Sequence, residues 1–437
     1  MIPTISVGIL FQPQISFVLD GCFHFNGKPY SGEQTASYKD GLILFDGQIF
    51  PKIDLTPVGA DDTFVLKEVV IGIGFHWERK ENQRFKGSLG FIVEGEKITA
   101  VNTLSVETYL ISVISSEMSA TASVELLKAH TVISRSWLLS QMEKRQAGET
   151  SKANCVNYIS DTRTDTEWIR WWDREDHAHF DVCADDHCQR YQGITRAAQS
   201  LEAVMQAVLE TNGEVLTYEG TICDARYSKC CGGLFEEFPN CWEPIAHPYL
   251  QKGYDGKSED FPALFPNFSQ EDAARAWICS TPPAYCNTHD HTILAQVLNS
   301  YDQETTRFFR WSVSYTTPEL SELVHRRTGF DFGTITEIIP ITRGTSGRIT
   351  RLKVEGSKRT LIIGKELLIR KALSESHLYS SAFVVDKTSE GFLLTGAGWG
   401  HGVGLCQIGA AVMAANGYGY RAILAHYFIG TNLTKHY

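Results

Sequence analysis

GAGWGHGVGLCQIGA, residues 396–410, places glycine at 396, 398, 400, 402 and 404 around Trp399 and His401. Such a run is excluded from a helix interior, where each glycine costs about 1 kcal/mol relative to alanine. In a strand, the same period of two strips one whole face of side chains. The run therefore requires a close approach by other atoms, or a backbone that turns through positive φ. It is not a dinucleotide loop, which needs G-x-G-x-x-G after a strand and an acidic residue about 20 positions later.

Outward from this run, the chain mixes strands and helices without regular alternation. Residues 1–100 are β-rich, with ISVGIL, LILFDG, VVIGIGFHW and LGFIVEG separated by Gly, Asp, Asn and Lys turns. Helical spacing begins after residue 104. VELLKAHTVISRSWLLSQMEKR, about 124–145, puts Leu127, Val132, Ile133 and Leu138 near one face, with Ser119, Thr121 and Ser123 as candidate caps. A polar, Trp-rich loop runs to about 190, and a helix over roughly 195–211 ends at Asn212-Gly213. EVLTYEGTICDARYS is expected to form a hairpin turning at Glu219-Gly220, and residues 252–300 look like an irregular insert. Strand and helix patterns alternate loosely over 310–364, and AAVMAANGYGYRAILAHYF forms two short closing helices. The expected fold class is α+β: a β-rich N-terminal region over 1–100, then a mixed domain over 101–437.

Composition narrows the partners. The 437 residues are 43% hydrophobic and 21% charged, ordinary for a soluble globular chain that can hold two or three domains. A net charge of −11 without a basic run disfavours nucleic acid and anionic membranes. No apolar stretch approaches the roughly 18–20 residues of a transmembrane segment. MIPTISVGILFQPQ lacks a basic start and a small-residue cleavage site, so it is no secretory signal as it stands. The eleven cysteines are clustered, and their number fits either metal binding in a reducing compartment or disulfides after export. Cys279 and Cys286 flank the Pro-Pro turn of STPPAY, where a small disulfide loop and two free thiols are both open.

Four constellations can carry chemistry. Glu117, in SSEM, precedes the helix expected from about 121, where a carboxylate complements the helix dipole by about 0.3–1 kcal/mol. The largely apolar LSVETYLISVIS ahead of it points instead to a semi-buried carboxyl with a raised pKa, able to act as a general acid. The second is HAHFDVCADDHC, residues 177–188, whose three histidines and two cysteines match the nitrogen and thiolate preferences of zinc. A Cys183–Cys188 disulfide with exposed histidines is the alternative, and three protein ligands would leave a fourth position open. The third is Tyr227 to Gly233, where Cys230 and Cys231 are redox-active or paired to Cys223 or Cys241, and Gly232-Gly233 again implies close approach. The fourth is the glycine run, with His401 accessible between glycines and Trp399 offering a flat face suited to sugars. Tight packing as the run enters a helix at about Gln407 is its plainer reading.

Taken in order, these residues resemble the stage II sporulation protein D family, also called the SpoIID/LytB or amidase-enhancer family, over roughly residues 100–437. LSVETYLISVISSEM followed by ELLKAHTVISRSW is similar to the family's catalytic segment, and DVCADDHCQRYQG to its Cys/His loop. GEVLTYEGTICDARYSKCCGG resembles its hairpin with a small-Gly-Gly turn, and the glycine run through TNL resembles its closing block. Departures are Cys406 for the usual serine, His130 for glutamine, and Cys230-Cys231 for small hydroxyl residues.

The resemblance implies a bacterial lytic transglycosylase with a substrate cleft, cleaving peptide-free glycan strands of peptidoglycan on the extracytoplasmic side. Glu117 matches the catalytic Glu. Substrate-binding positions would be Ser116, Lys128, Arg135, Tyr191, Tyr227, Gly232, Trp399, His401 and Gln407. Zinc is the implied cofactor, with His177, Cys183 and Cys188 as ligands and His179 competing. It would be structural as readily as chemical, because transglycosylation requires no Lewis acid. A second function within the family is a non-catalytic, wall-binding enhancer of an N-acetylmuramoyl-L-alanine amidase. A zinc hydrolase ranks below both, since no carboxylate falls in a zincin spacing.

Overall fold

In the strand Gln14–Phe25, Ile15, Phe17 and Leu19 are buried and alternate with half-buried Ser16 and Val18, as the period of two requires. The computed structural model of the chain describes residues 1–72, 78–119, 121–150, 158–172, 177–185, 187–194, 201–257, 259, 267–297 and 307–437. Helix makes up 25% and strand 39%, the α+β class expected from sequence. Residues 73–77 of the expected strand VVIGIGFHW and 195–200 of the expected helix lie outside the described residues.

The chain forms two units: Met1–Arg135 with Arg174–Glu214 and Lys435–Tyr437, and Ser136–Asp173 with Val215–Thr434. The β-rich region proposed for residues 1–100 thus shares its unit with later segments.

The first unit is built on an eleven-stranded sheet among the described residues. Phe17, Phe23, Phe45, Phe64, Phe85 and Phe91 are fully buried in it. Their rings meet in pairs such as Phe17 with Phe91 (centroids 5.1 Å apart) and Phe64 with Phe85 (5.3 Å), each adding about 0.5–1.5 kcal/mol beyond area burial. The strand Thr4–Gln12 pairs antiparallel with Lys97–Ser105. On its other side it pairs in parallel with Val182–Cys183, in the register Val7 to Val182 and Gly8 to Cys183.

Helix α1 (Val106–Glu117) starts at Ser105, whose Oγ accepts from the Thr108 N–H. Helix α2 spans Val124–Thr150. Of its three candidate caps, Ser123 takes the role, its Oγ accepting from the Leu126 N–H at 3.3 Å. Helix α3 spans Leu201–Glu210 and is followed by Gly213 at φ 69°. Arg135 on α2 is fully buried. Its Nε and Nη2 donate to the two carboxylate oxygens of Glu107 on α1 at 2.9 and 2.7 Å, and its Nη1 donates to the Glu214 carbonyl at 3.0 Å. Glu107 also accepts from the Gly213 N–H at 3.3 Å and the Tyr437 hydroxyl.

In the second unit the hairpin turns where expected, through Glu219 (φ 49°) and Gly220 (φ 83°). The stretch read as an irregular insert contains two short helices, α4 (Glu271–Ile278) and α5 (His291–Val297). Helix α6 (Thr317–Thr328) opens on a reciprocal capping box between Thr316 and Glu319 and closes on Gly329 in the left-handed region. Beside it, the strand Gly391–Ala397 pairs antiparallel with both Arg310–Thr316 and Phe383–Lys387. Helix α7 (Glu366–Ala372) joins α6 on a core that includes Leu320, Val324, Trp311, Leu368, Ile369 and Leu394. The chain closes with α8 (Gln407–Ala415) and α9 (Tyr420–Tyr427), the two short helices expected.

Arg135→Met would leave the Glu107 carboxylate without its bidentate partner. Urea unfolding of the full chain is expected to show a loss of about 3–5 kcal/mol in stability, the cost of breaking a buried ion pair on one side.

Candidate functional site

The Cys/His loop is held by the edge of the first unit's sheet. Asp181 accepts from the Ser6 N–H at 2.9 Å and the Ser6 hydroxyl at 2.6 Å, and the Ala184 N–H donates to the Gly8 carbonyl at 3.0 Å. A side chain at position 8 would strike the Phe180 ring, so glycine there lets the loop lie against the strand. The donor atoms of His177, Cys183, His187 and Cys188 all lie within 4.8 Å of one another. His177 Nε2 is 3.3 Å from His187 Nδ1, which is 3.5 Å from Cys188 Sγ. Zinc bonds of about 2.0–2.3 Å set tetrahedral donor separations under about 4 Å, the range of these two separations. The Cys183 thiol is drawn far below its ordinary range, first by the hydrogen bond with Cys188, then by His177 and His187, against the opposing effect of burial.

Two features of this loop differ from the sequence reading. His187 occupies the fourth corner expected to be open, whereas His179 is exposed and outside the cluster. Four donors on one ion is the arrangement of structural zinc sites. Cys183 and Cys188 are thiols rather than a disulfide.

Glu117 is the last residue of α1, not a residue ahead of the N-terminus of α2. The helix macrodipole opposes a negative charge at that end, so the capping benefit weighed from sequence is absent. The residue is buried, and its Oε1 accepts from the Arg190 N–H at 3.3 Å. Arg190 lies two positions beyond Cys188, so the Cys/His loop and the carboxyl are held together within one unit. Tyr109, about two turns back on α1, is fully buried, stacks on Tyr191 at 5.1 Å and donates to Gln189 Oε1 at 3.3 Å.

The other residues assigned to substrate in this unit are largely engaged by the protein. Ser116 is fully buried and donates to the Ser112 carbonyl at 2.8 Å. Tyr191 is buried and donates to Asn102 Oδ1. Lys128 Nζ pairs with Glu125 at 3.0 Å and Glu210 at 2.6 Å. Arg135 is taken by Glu107, as above.

In the second unit, the glycine run is lined by the protein itself. Gly398, Gly400, Gly402 and Gly404 all have positive φ, between 70° and 99°. A Cβ at 398 would lie 2.7 Å from the Cys230 carbonyl oxygen; at 402 it would overlap the Arg348 guanidinium, and at 404 the Arg226 carbonyl. Backbone groups of the run are also satisfied internally. The Trp399 and Cys230 amides exchange hydrogen bonds at 2.7 and 3.0 Å, the Gly400 N–H donates to Tyr379 O at 2.8 Å, and the Gly402 carbonyl accepts from the Glu236 N–H at 2.9 Å. The close approach read from the glycines is therefore tight packing.

Trp399 is half-buried, with Phe308 stacked on its ring at 4.8 Å and Tyr379 edge-on at 5.1 Å. His401 is half-buried rather than exposed. Its Nδ1 accepts from the Val403 N–H at 3.0 Å, and its ring packs edge-on against Trp242 at 4.8 Å. Burial first, then the nearby Arg226, Arg348 and Arg370, push its pKa well below the ordinary imidazole range, leaving it neutral. Gln407 is buried at the first position of α8. Gly232 is buried against Gly398, and Tyr227 is half-buried in a short strand paired with Leu405.

The disulfide weighed for Cys279 and Cys286 is absent. Cys279 is exposed, whereas Cys286 is buried with its Sγ 3.6 Å from that of Cys231.

Residues 94–218 match the Stage II sporulation protein family, a segment that contains Glu117 and the Cys/His loop. Residues 236–404 match a Domain of unknown function (DUF8618). An uncharacterized protein of Brachyspira hyodysenteriae is 24% identical over 93% of this chain and 90% of its own length. Stage II sporulation protein D of Bacillus amyloliquefaciens is 22% identical over 77% of this chain and 76% of its own length. The amidase enhancer of Bacillus subtilis is 25% identical over 74% of this chain, a match that spans 40% of the enhancer.

Packing, not ligand contact, should dominate substitutions in the glycine run. Gly404→Ala is expected to lower the thermal unfolding midpoint more than Gly417→Ala, which shares the positive φ but has open space around it. Positive φ alone costs about 1–3 kcal/mol, so the difference between the two variants, read by calorimetry, isolates the collision with Arg226.

Proposed function

Because the chain belongs to the SpoIID/LytB family through its domain at residues 94–218, we propose that it is a lytic transglycosylase acting on peptide-free glycan strands of peptidoglycan. The observation that carries this reading is the buried Glu117 carboxyl, held at 3.3 Å by the Arg190 N–H of the Cys/His loop. The other acid of α1, Glu107, is committed to Arg135.

The reaction asks for one group that gives and then takes a proton. Glu117 protonates the glycosidic oxygen between N-acetylmuramic acid and N-acetylglucosamine. Positive charge develops at the muramoyl C1 as that bond breaks. The Glu117 carboxylate then accepts the proton of the muramoyl 6-hydroxyl as its oxygen closes onto C1, giving a 1,6-anhydro end. No water enters the product, which separates this route from the two-carboxylate hydrolases. Burial of Glu117 at the end of α1 keeps bulk water from the carboxyl, and the Arg190 N–H orients one of its oxygens.

His177, Cys183 and Cys188 would hold zinc, with His187 completing the set. Bound there, the ion would cross-link the loop and so fix Arg190 against Glu117. The substrate places the protein on the extracytoplasmic side of a bacterial wall. Among the described residues no helix is long and apolar enough to cross a membrane. The likeness to an amidase enhancer supports a second reading, in which the protein binds the wall and stimulates a separate amidase without turnover.

Incubation with amidase-treated glycan strands, followed by mass analysis, distinguishes the two. Anhydromuramoyl ends are expected from the wild type, with the rate reduced at least about 100-fold in Glu117→Gln, the lower end of what a general acid–base contributes. Folded wild-type protein that yields no such ends on several glycan preparations, yet accelerates an added amidase, establishes the enhancer reading instead. Cys183→Ser is expected to reduce both bound zinc and turnover while leaving the fold intact by circular dichroism; unchanged turnover in zinc-depleted protein would remove the loop from the mechanism.

A further inference from the structure

A second set of metal-type donors lies in the other unit, far from any recognisable ligand spacing in the sequence. Cys231, Asp255, Cys286 and Cys406 are all buried, and their donor atoms lie within 4.8 Å of one another. Each comes from a different segment. Cys231 follows the short strand Tyr227–Ser228, and Asp255 follows Gly253–Tyr254. Cys286 lies between α4 and α5, and Cys406 caps α8. We propose that these four side chains form a structural zinc site that ties residues 252–300 to the end of the glycine run.

The distances fit one ion. Zinc–sulfur bonds of about 2.3 Å set tetrahedral sulfur–sulfur edges of about 3.8 Å, and the Cys231 and Cys286 sulfurs are 3.6 Å apart. A disulfide would need about 2.0 Å and would leave the Cys406 thiol over. Asp255 Oδ2 lies 3.4 Å from Cys231 Sγ, on the same cluster. Donors this close enclose a single ion rather than a multi-iron cluster. Three thiolates favour zinc over magnesium or calcium, which prefer all-oxygen sets.

The surroundings are arranged as a second shell around such an ion. The Cys231 N–H donates to Cys406 Sγ at 3.2 Å, and the Cys286 N–H donates to Asp255 Oδ2 at 3.1 Å. The Tyr427 hydroxyl donates to Asp255 Oδ1 at 2.8 Å, fixing the carboxylate's orientation. Gly409, in the first turn of α8, leaves room for that carboxylate; a Cβ there would lie 2.6 Å from both of its oxygens. His426 Nε2 is 3.7 Å from Asp255 Oδ1.

A bound divalent ion would hold its cysteine ligands as thiolates. The negative charge that three thiolates and a carboxylate then carry in excess of the ion has partners at hand. The buried Arg348 donates to the Cys231 carbonyl at 3.2 Å, and Arg310 donates to the Gly232 carbonyl at 3.0 Å. Arg310 satisfies its guanidinium with backbone carbonyls of Gly232, Trp277, Ser280 and Phe309, so its charge is available to the cluster.

Elemental analysis of the full chain, purified under reducing conditions without chelator, tests the site separately from the Cys/His loop. Cys406→Ser is expected to lower bound zinc by one equivalent per chain, whereas Cys183→Ser lowers it by an independent equivalent. Cobalt(II) loaded into a Cys183→Ser, Cys188→Ser double variant is expected to give a thiolate-to-cobalt charge-transfer band, which disappears when Cys406→Ser is added. If Cys406→Ser does not fold, the zinc content and cobalt spectrum of the double variant decide alone. A folded double variant that takes up no zinc, or a Cys231–Cys286 disulfide in peptide maps of alkylated protein, overturns the proposal. Loss of the loop's equivalent alone would bear on the loop and leave this site standing.

Discussion

Residues 398–404 pass through a part of the second unit where there is no space for a Cβ. The Arg348 guanidinium, the Arg226 carbonyl and the Cys230–Gly232 backbone occupy those positions, and four consecutive alternate glycines adopt positive φ to let them in. Because the amides and carbonyls of the run bond to Cys230, Tyr379, Phe309 and Glu236, they substitute for the regular ladder that a bent strand loses. The strand Gly391–Ala397, the short parallel pair at Tyr227 and Leu405, and the start of α8 are all set by this threading. Glycine here answers to packing, and an aromatic residue in its midst, Trp399, is clasped by Phe308 and Tyr379.

The first unit solves a different problem, that of holding a carboxyl and a loop without regular structure. Its sheet supplies an edge strand on which Val182 and Cys183 add in parallel, and Ser6 with Asp181 fixes the entry to the loop. A short path then leads through Cys188 to Arg190 and Glu117. The β-rich N-terminal stretch, most of which lies ahead of the segment that matches the family, is what positions the Cys/His loop.

The two cysteine clusters show how differently a site can be written. In the loop, five candidate ligands fall within twelve residues, so the chemistry is visible as a local pattern. Even there, only the folded loop brings His187 into the set and leaves the exposed His179 outside it. In the second unit, Cys231, Asp255, Cys286 and Cys406 are spread over 176 positions of chain numbering, and only folding brings them together. The single signal available beforehand was that Cys231 and Cys406 both depart from the residue types usual in the family.

Sequence alone determined the α+β class, the hairpin at Glu219-Gly220 and the closing helices, and it singled out Glu117 and the Cys/His loop as candidates for chemistry. These rest on local physics: period-two alternation, capping side chains, turn glycines and ligand types packed into a short stretch. Tertiary structure alone decided which polar residues are engaged. Arg135, Ser116 and Tyr191 are binding positions by family resemblance, yet each is buried against a partner remote in sequence or one turn away. It also moved Glu117 to the end of α1 and filled the space beside the glycines with protein atoms. Burial and contact depend on which distant segments meet, and local spacing carries no record of that.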